Sequence, residues 1–347
     1  MKKLSQITTA VTILLTILFF VSIYRYFLPG YKFSENSTTV NNLPENNGET
    51  DEQSEEDLTI GWSVYNASFE FFQAMQQGVL DKAAELNMKV IPHDQKSQTS
   101  EMISGALELI NQGVDALVIS PINPNAMIII ANMTKDAGIP LIIVDIGTGG
   151  VDYDAFIVSD SYGGGVLAGE YAINLITNRD LPSKNFAVIK TEETALFANR
   201  RGDAFKRVLT DAGYNLVAEV IANSDEIEAY NAMKSILPQY QDDLAIVFAE
   251  NDRMALGAAR AIDEAGKKGE ILIIGFDGDP AAIEAIQNGD MQGTIAQKPY
   301  EMGSLGAEMA YKILNGEYIA YDDRNAKELL VEVFLIDENG DIRSTSP

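Results

Sequence analysis

The sequence predicts an α/β protein of two similar lobes, each built on a parallel sheet. From residue 58 onward, short apolar runs alternate with segments whose apolar residues recur at helical spacing. Residues 244–280 read as strand, helix and strand, and residues 115–147 repeat that pattern. The second strand of each copy ends on an aspartate, Asp145 or Asp277. Any α/β protein repeats strand and helix, but the matching aspartates favour a duplicated unit whose strand ends face a shared cleft.

The first element is a candidate membrane anchor at residues 1–30. Lys2 and Lys3 precede an apolar segment at 7–28, whose length fits the ~20 residues that cross a bilayer. No cleavage site of the A-x-A type precedes Pro29, and the chain has no cysteine to carry a lipid. The pattern favours an uncleaved transmembrane helix in the bacterial cell membrane, with the rest of the chain on the extracytoplasmic side. Cleavage after Ser22 remains an alternative.

A disordered acidic stalk is predicted next, at residues 31–57. From residue 34 to residue 57 the chain carries eight acidic residues and no basic one. This composition buries too little apolar surface to fold, and like charges extend the chain. The segment therefore predicts a solvated spacer.

The first lobe begins at residue 58 with the strand LTIGWSVY. Helices and strands then alternate, with the stop signal Gly138-Ile-Pro140 before the fourth strand. The predicted elements are helix 71–87, strand 88–91, helix 99–111, strand 116–119, helix 125–137, strand 141–145 and strand 156–159.

The second lobe repeats the alternation. Its predicted elements are helix 166–178, strand 186–189, helix 199–212, strand 215–221, helix 226–236, strand 245–249, helix 253–265, strand 271–276 and strand 294–297. A helix at 300–315 and closing β-structure at 329–336 follow. The helix at 166 follows Tyr162-Gly-Gly-Gly165, whose amides suit either an anion or close packing of the helix.

Composition excludes several classes of function. With no cysteine and one histidine, His93, the chain lacks disulfides, thiolate metal sites and most histidine-based catalysis. A formal charge of -26 argues against nucleic acid as a partner. No P-loop, G-x-S-x-G or H-E-x-x-H motif is present. We therefore predict a protein without catalysis, cofactor or metal, with an exported α/β enzyme as the alternative.

Polar side chains follow the predicted strands at the edge where open α/β sheets bind ligands. Asp145, Asn251 and Asp277 come directly after apolar runs, and Arg201 opens a helix, where its charge opposes the helix dipole. Phenylalanines at the start of the first predicted helix offer aromatic faces. Carboxylates, amides and aromatic faces together suit a neutral polyhydroxylated molecule.

From about residue 58 to 333 the chain resembles the periplasmic sugar-binding proteins of ABC transporters, of the ribose-binding type. The motifs that carry this resemblance are FF-x-x-M-x-x-G at 71–78, IPLIIVD at 139–145, NRRGDAF at 199–205, VFAENDRMALG at 247–257, GFDG at 275–278 and TIAQ at 294–297. It implies two Rossmann-like lobes joined by three crossovers and closing on one sugar. Residues 58–159 and 298–327 would form the first lobe, and 160–297 and 328–342 the second.

The resemblance also implies a set of ligand-binding residues. Two matched phenylalanines would sandwich the sugar, and five matched polar residues would bond its hydroxyl groups. The full set is Phe71, Phe72, Asp145, Arg201, Asn251, Asp277 and Gln297, with Asn66, Phe69 and Ser224 as further candidates. Glu250, Asp252 and Arg253 are interpreted as capping and surface residues instead.

Two differences from the ribose-binding pattern leave the identity of the sugar undecided. Ile146 stands where ribose binders have an arginine, and Ser224 lies near the place of an aromatic residue. Another pentose, a hexose or a polyol is therefore as consistent as ribose. The lac-repressor family shares this effector core. Membership of that family would predict an N-terminal helix-turn-helix, whereas this chain has the apolar segment there.

The predicted function is a membrane-tethered, extracytoplasmic sugar-binding protein. Its partner would be an ABC permease that takes up the sugar. The alternative is a membrane histidine kinase or chemoreceptor that senses occupancy.

Overall fold

Two lobes, each a largely parallel sheet with helices on both faces, make up the computed structural model. The structure describes residues 58–193, 195–240, 242–340 and 342–344. The predicted anchor and stalk, residues 1–30 and 31–57, lie outside the described residues. Within the described ranges, every helix is too short or too polar to cross a bilayer.

The first lobe starts with a regular alternation of strand and helix. Its elements are β1 (Thr59–Val64), α1 (Glu70–Glu85), β2 (Lys89–Asp94), α2 (Thr99–Asn111), β3 (Ala116–Ile119), α3 (Met127–Ala137), β4 (Leu141–Val144) and β5 (Ala155–Ser159). Late in the chain it gains α9 (Pro299–Leu314) and β11 (Glu328–Val331).

The six strands of this lobe lie in the order β11-β5-β4-β3-β1-β2, and all neighbours are parallel. The central strands β3 and β4 are buried along their whole length. One face of the sheet packs against α1 and α9, and the other against α2 and α3. Strands that are buried on both faces are continuous apolar runs in the sequence, and this pattern is why these strands could be predicted.

The second lobe has the same architecture. Its elements are α4 (Ser161–Asn178), β6 (Asn185–Lys190), α5 (Leu196–Asp211), β7 (Asn215–Ile221), α6 (Glu226–Tyr240), β8 (Ile246–Ala249), α7 (Asp252–Glu264), β9 (Leu272–Asp277), α8 (Pro280–Gln287), β10 (Gly293–Ala296), β12 (Phe334–Asp337) and β13 (Ile342–Ser344). The strand order is β13-β12-β10-β9-β8-β6-β7, with only β12 and β13 antiparallel to their neighbours among the described strands.

The chain passes between the lobes three times: after β5, after β10 and after β11. The third crossing differs from the predicted boundary at residue 327. Strand β11 pairs with β5 in the first lobe, with Glu328 opposite Phe156, so the chain changes lobe only after Val331. The sequence from 329 to 336 is apolar except for Glu332, and such a pattern does not show that the chain changes sheet there.

Helix α4 begins five residues before its predicted start at 166. Asp160 caps the helix, since its Oδ1 accepts from the Gly163 amide at 2.8 Å. A Cβ at Gly165 would lie 2.2 Å from the Arg201 carbonyl oxygen. The glycines therefore serve close packing of α4 against α5, and a carboxylate already occupies the helix start.

Helix α8 is a second difference between prediction and structure, because no helix was predicted at residues 280–287.

Helices α1 and α9 also cross at very short range. A Cβ at Gly78 would lie 2.0 Å from the Tyr300 carbonyl oxygen, and one at Gly303 would lie 1.9 Å from that of Met75. Each glycine therefore lets the other helix backbone approach directly. This contact attaches the late helix α9 to the first lobe.

Candidate ligand cleft

Arg201 lies at the centre of the candidate site. It sits on α5, almost fully buried, with its guanidinium 3.7 Å from the ring centroid of Phe276. Its Nη1 donates to the Glu250 carbonyl oxygen at 2.8 Å and to Asp277 Oδ1 at 3.0 Å. The guanidinium thus joins the carboxyl ends of β8 and β9. Arg201 does not open the helix as predicted, because α5 begins at Leu196 and Arg201 lies in its second turn.

Asp277 and Gln297 complete this hydrogen-bonded group. Gln297 Nε2 donates to Asp277 Oδ1 at 2.7 Å, and Gln297 Oε1 accepts from Ser159 at 2.6 Å. Burial raises the pKa of Asp277 to about 6, against the lowering effect of Arg201. Both polar atoms of Gln297 are engaged, so it aligns Asp277 and links it to the first crossing between the lobes.

Asp145 faces this group from the first lobe. It follows β4 with a left-handed backbone, φ 72°, and its side chain is buried, at 7% exposure. Burial raises its pKa to about 7, while Arg201 lowers it and Asp277 raises it. Charges of the second lobe therefore act on Asp145 across the cleft. Among the described residues, none donates a hydrogen bond to its carboxylate.

Asn251 has one polar atom engaged and one available. It caps α7, with its Oδ1 accepting from the Met254 amide at 3.0 Å. An asparagine that caps through oxygen keeps its amide hydrogens as donors.

The aromatic residues form a cluster in the first lobe. Phe72 is buried in the core, stacked on Tyr65 at 4.9 Å between centroids, with Phe71 edge-on to it at 5.2 Å. Phe71 is half-buried, and Phe69 is 49% exposed. The face that Phe72 would offer to a ligand is thus covered by Tyr65 in this structure.

Tyr65 and Glu192 were not singled out by the sequence analysis. Burial raises the pKa of Tyr65, the Glu192 carboxylate raises it further and Arg253 lowers it. Tyr65 follows β1, whereas Glu192 and Arg253 belong to the second lobe, so this tyrosine faces across the cleft. Its position directly after a strand was the available signal, since it is the same position that identified Asp145.

The remaining candidates have local partners. Asn66 Oδ1 accepts from the amide and hydroxyl of Ser68, and its Nδ2 donates to Ser97 at 2.8 Å. Ser224 donates to Glu192 Oε2 at 2.9 Å, from a left-handed backbone with φ 56°. Asn66 therefore holds the turn before α1, and Ser224 orients Glu192.

Glu250 and Asp252 are not surface residues, contrary to the sequence-based interpretation. Both side chains are fully buried. Glu250 Oε2 accepts from the amide and hydroxyl of Thr191, at 2.8 and 3.0 Å. A charged residue in a sequence suggests an exposed position. In the structure, backbone amides and hydroxyl groups supply the donors that allow these carboxylates to be buried.

The cleft thus offers a hydrogen-bond acceptor from the first lobe and hydrogen-bond donors from the second. Asp145 is an acceptor in the first lobe, and Asn251 Nδ2 and Arg201 are donors in the second. Such a set matches vicinal hydroxyl groups, which donate to carboxylates and accept from amides and guanidinium.

Comparison with known proteins gives a consistent result. A family profile described as a periplasmic binding protein domain matches residues 60–318. The ribose import binding protein of Bacillus subtilis is 32% identical over 276 residues, covering 80% of this chain and 86% of that protein.

Two solved structures show the same similarity. An ABC transporter solute-binding protein of Bacillus halodurans with bound myo-inositol gives a TM-score of 0.67 at 28% identity, covering 82% of this chain and 95% of that one. A second, from Actinobacillus succinogenes with bound D-allose, gives 0.69 at 25% identity, covering 82% and 99%. These relatives are binding proteins of transporters, not enzymes.

Proposed function

Because the chain belongs to the periplasmic binding protein family, we propose that it binds a monosaccharide or a related polyol between its lobes, for uptake by an ABC transporter. The relatives described above bind, or are named for, ribose, D-allose and myo-inositol. All three ligands are neutral and carry several hydroxyl groups. A neutral polyol of this size is therefore the proposed ligand class.

The observation that carries the proposal is the state of Asp145. Its side chain is only 7% exposed and accepts no hydrogen bond from any residue in the described ranges, and its backbone is left-handed. A largely buried carboxylate without protein donors is unfavourable unless another molecule supplies them. Ligand hydroxyl groups are the donors that this arrangement fits.

The proposed contacts follow from the geometry. Asp145 and Asp277 accept from hydroxyl groups, Arg201 and Asn251 donate to them, and Gln297 holds Asp277 in place. Phe71 and Phe69 supply apolar faces for the C–H groups of the ligand, next to Tyr65 and Phe72. Hinge closure would bring the two sets together around the ligand.

Specificity is proposed to differ from that of ribose binders. Ile146 offers no donor beside Asp145, and Ser224 directs its hydroxyl to Glu192. Both changes replace recognition elements of ribose binders with different chemistry. A hexose or a cyclic polyol is therefore as consistent with this cleft as ribose.

Attachment to the membrane remains part of the proposal. The apolar segment at 7–28 supports an uncleaved anchor, and the acidic stalk would hold the lobes away from the surface. Mass measurement of the intact protein in membrane fractions tests this. Recovery of a soluble form that lacks the first segment would contradict it.

The proposed partner is the permease, at the rim of the cleft. Exposed apolar side chains lie at the start of helices in both lobes: Leu196 and Ile227, 75% and 64% exposed, in the second, and Ile128 and Ile129 in the first. Apolar residues on a rim suit contact with another protein. A resident anchor would equally keep the protein beside a sensor kinase or chemoreceptor. Uptake of labelled sugar in a strain lacking this protein separates the two uses.

The ligand assignment is tested by calorimetry against pentoses, hexoses and polyols, with wild type, Asp145→Asn and Asn251→Ala. We expect one or more sugars to bind, and each substitution to weaken binding at least about tenfold. Asp136→Asn is the control, since that carboxylate is exposed on α3. Unchanged binding by Asp145→Asn would overturn the assignment of the site.

A further inference from the structure

Asp252 is the first residue of α7, and its carboxylate is fully buried, at 0% exposure. Oδ2 accepts from the amides of Gly278 and Asp279, both at 2.8 Å. Oδ1 accepts from the Thr294 hydroxyl at 2.7 Å. One side chain therefore joins the start of α7, the loop after β9 and strand β10.

The two amides belong to the residues directly after Asp277. That segment has an unusual backbone, with φ 128° at Asp277 and φ 81° at Gly278. A side chain held at positive φ costs of order 1–3 kcal/mol and persists only where the surroundings fix it. The Asp252 carboxylate binds the far side of this turn and so supplies that constraint.

The fit around Asp252 is close. A Cβ at Gly275 would lie 2.1 Å from Asp252 Oδ1, so the carboxylate lies directly against β9. A Cβ at Gly278 would lie 2.5 Å from Ala296 Cβ, so the turn itself lies against β10. Neither the carboxylate nor the loop has room to shift.

The charge of this carboxylate also needs an explanation. Burial, together with the nearby Asp277, raises the pKa of Asp252 to about 8, while the Thr294 hydroxyl and the Asp279 amide lower it. A buried carboxylate beside a second one opposes stability. The donors around it account for its presence, because without this side chain the Gly278 and Asp279 amides would lose their acceptor.

We propose that Asp252 is a positioning residue for ligand binding, which fixes the turn at Asp277 and Gly278 and so aims the Asp277 carboxylate at Arg201 and the cleft. It sets affinity without touching the ligand. The proposal rests on the proposed function for its effect on affinity, but the tether itself is independent of any ligand.

The first test is a double-mutant cycle with Asp252→Ala, Asp277→Asn and the double variant. D-ribose, D-allose and myo-inositol are titrated into wild type, and the tightest serves as the probe. We expect Asp252→Ala to raise Kd about tenfold or more when Asp277 is present, and less than about twofold in the Asp277→Asn background. An equal effect in both backgrounds would overturn the proposal, since a general loss of stability does not depend on Asp277.

The second test needs no ligand. Hydrogen exchange in ligand-free Asp252→Ala should be faster at the Gly278 and Asp279 amides than in wild type, with the strands β8 and β9 still protected. Unchanged exchange at those two amides would overturn the tether. If wild type binds none of the three probes, the proposed function fails, whereas exchange still decides the role of Asp252 in the turn.

Asp115→Ala is the control. Asp115 Oδ2 accepts from the Thr59 amide at 2.7 Å and so ties the segment before β3 to the amino end of β1. It is a carboxylate–amide bond at the opposite edge of the sheet from the cleft. Its Kd should remain within about twofold of wild type; a tenfold rise would show that any lost carboxylate tether weakens binding, and would overturn the specific role of Asp252.

Discussion

Asp145 illustrates how one residue can be poor for stability and necessary for binding. Its carboxyl group is buried, its backbone is left-handed, and its neighbours across the cleft are Arg201 and Asp277. A position of this kind is retained where a ligand supplies what the protein does not. The consequences of that conflict can be measured in two ways.

Ligand affinity should increase with pH. Burial raises the pKa of Asp145 to about 7 in the ligand-free protein, and hydroxyl groups that donate to the carboxylate would lower it in the complex. Below pH 7 the carboxyl proton must be lost on binding, so Kd should rise by up to about tenfold for each unit by which the pH is lowered. Calorimetry from pH 5 to 9 measures this, with circular dichroism as a control for folding. A Kd that is constant over this range contradicts the prediction.

The substitution Asp145→Asn should stabilise the ligand-free protein at pH 8 while it removes binding. The folded-state pKa, about 7, lies above the ordinary value of 3.8, so the favourable contribution of this group is present below pH 4 and lost as the pH rises through 7. The free energy of unfolding at pH 8 should rise by at least about 1 kcal/mol. Denaturant unfolding at pH 8 and pH 4.5 measures it, and the gain should shrink at the lower pH. A destabilised variant at pH 8 is the contrary result.

At the residue scale, side chains that directly follow a strand could be predicted from the sequence. Side chains whose role depends on contacts with distant residues could not. Asp145 and Asp277 follow apolar runs, and the structure brings them within electrostatic range of each other. Tyr65 also follows a strand, but its stacking on Phe72 depends on a rotamer that sequence does not encode. The burial of Asp252 depends on donors 26 and 42 positions away, which no local pattern contains.

At the scale of elements, the buried parallel strands and amphipathic helices were predicted within a few residues. Helix α7 is an example, because Met254, Ala258 and Ile262 recur at helical spacing and are all buried. The β-structure predicted at 329–336 for the second lobe is two strands in different sheets. Apolar content determines burial, whereas the choice between sheets depends on partners far along the chain.

The crossing of α1 and α9 gives a prediction for this scale. Gly303→Ala should lower the free energy of unfolding by about 1–3 kcal/mol or more, since the new Cβ meets the Met75 carbonyl oxygen. Gln77→Ala on α1 is the control, because that side chain is exposed, and it should change stability by less than about 0.5 kcal/mol. Denaturant unfolding compares the two. Equal stability of the two variants would show that the helices can move apart without cost.

At the scale of the whole molecule, charged groups of each lobe act on groups of the other. Arg253 of the second lobe lowers the pKa of Tyr65 in the first, and Glu70 of the first lobe raises that of Asp279 in the second. Beside the third crossing, Arg200 on α5 pairs with Glu328 on β11 at 2.8 Å. These contacts depend on how the lobes are oriented, and they are the ones that a hinge motion would change.

Transport should depend on the rim more than sugar binding does. Leu196→Glu and Ile227→Glu place charges on exposed apolar positions at the start of α5 and α6. We expect sugar affinity within about twofold of wild type and uptake reduced at least about tenfold, because a charge at the core of an interface is unfavourable. Uptake of labelled sugar in cells and calorimetry on the purified variants measure both. Normal uptake with both variants would place the permease contact elsewhere.

The three crossings between the lobes have a consequence for biosynthesis. A ribosome that has made residues up to 297 has completed neither sheet, because β11 belongs to the first and β12 to the second. Helix α9, which covers one face of the first sheet, is also missing at that point. Both lobes therefore finish folding only after nearly the whole chain has emerged, and a nascent chain with incomplete sheets is the form in which a protein can be threaded through an export channel.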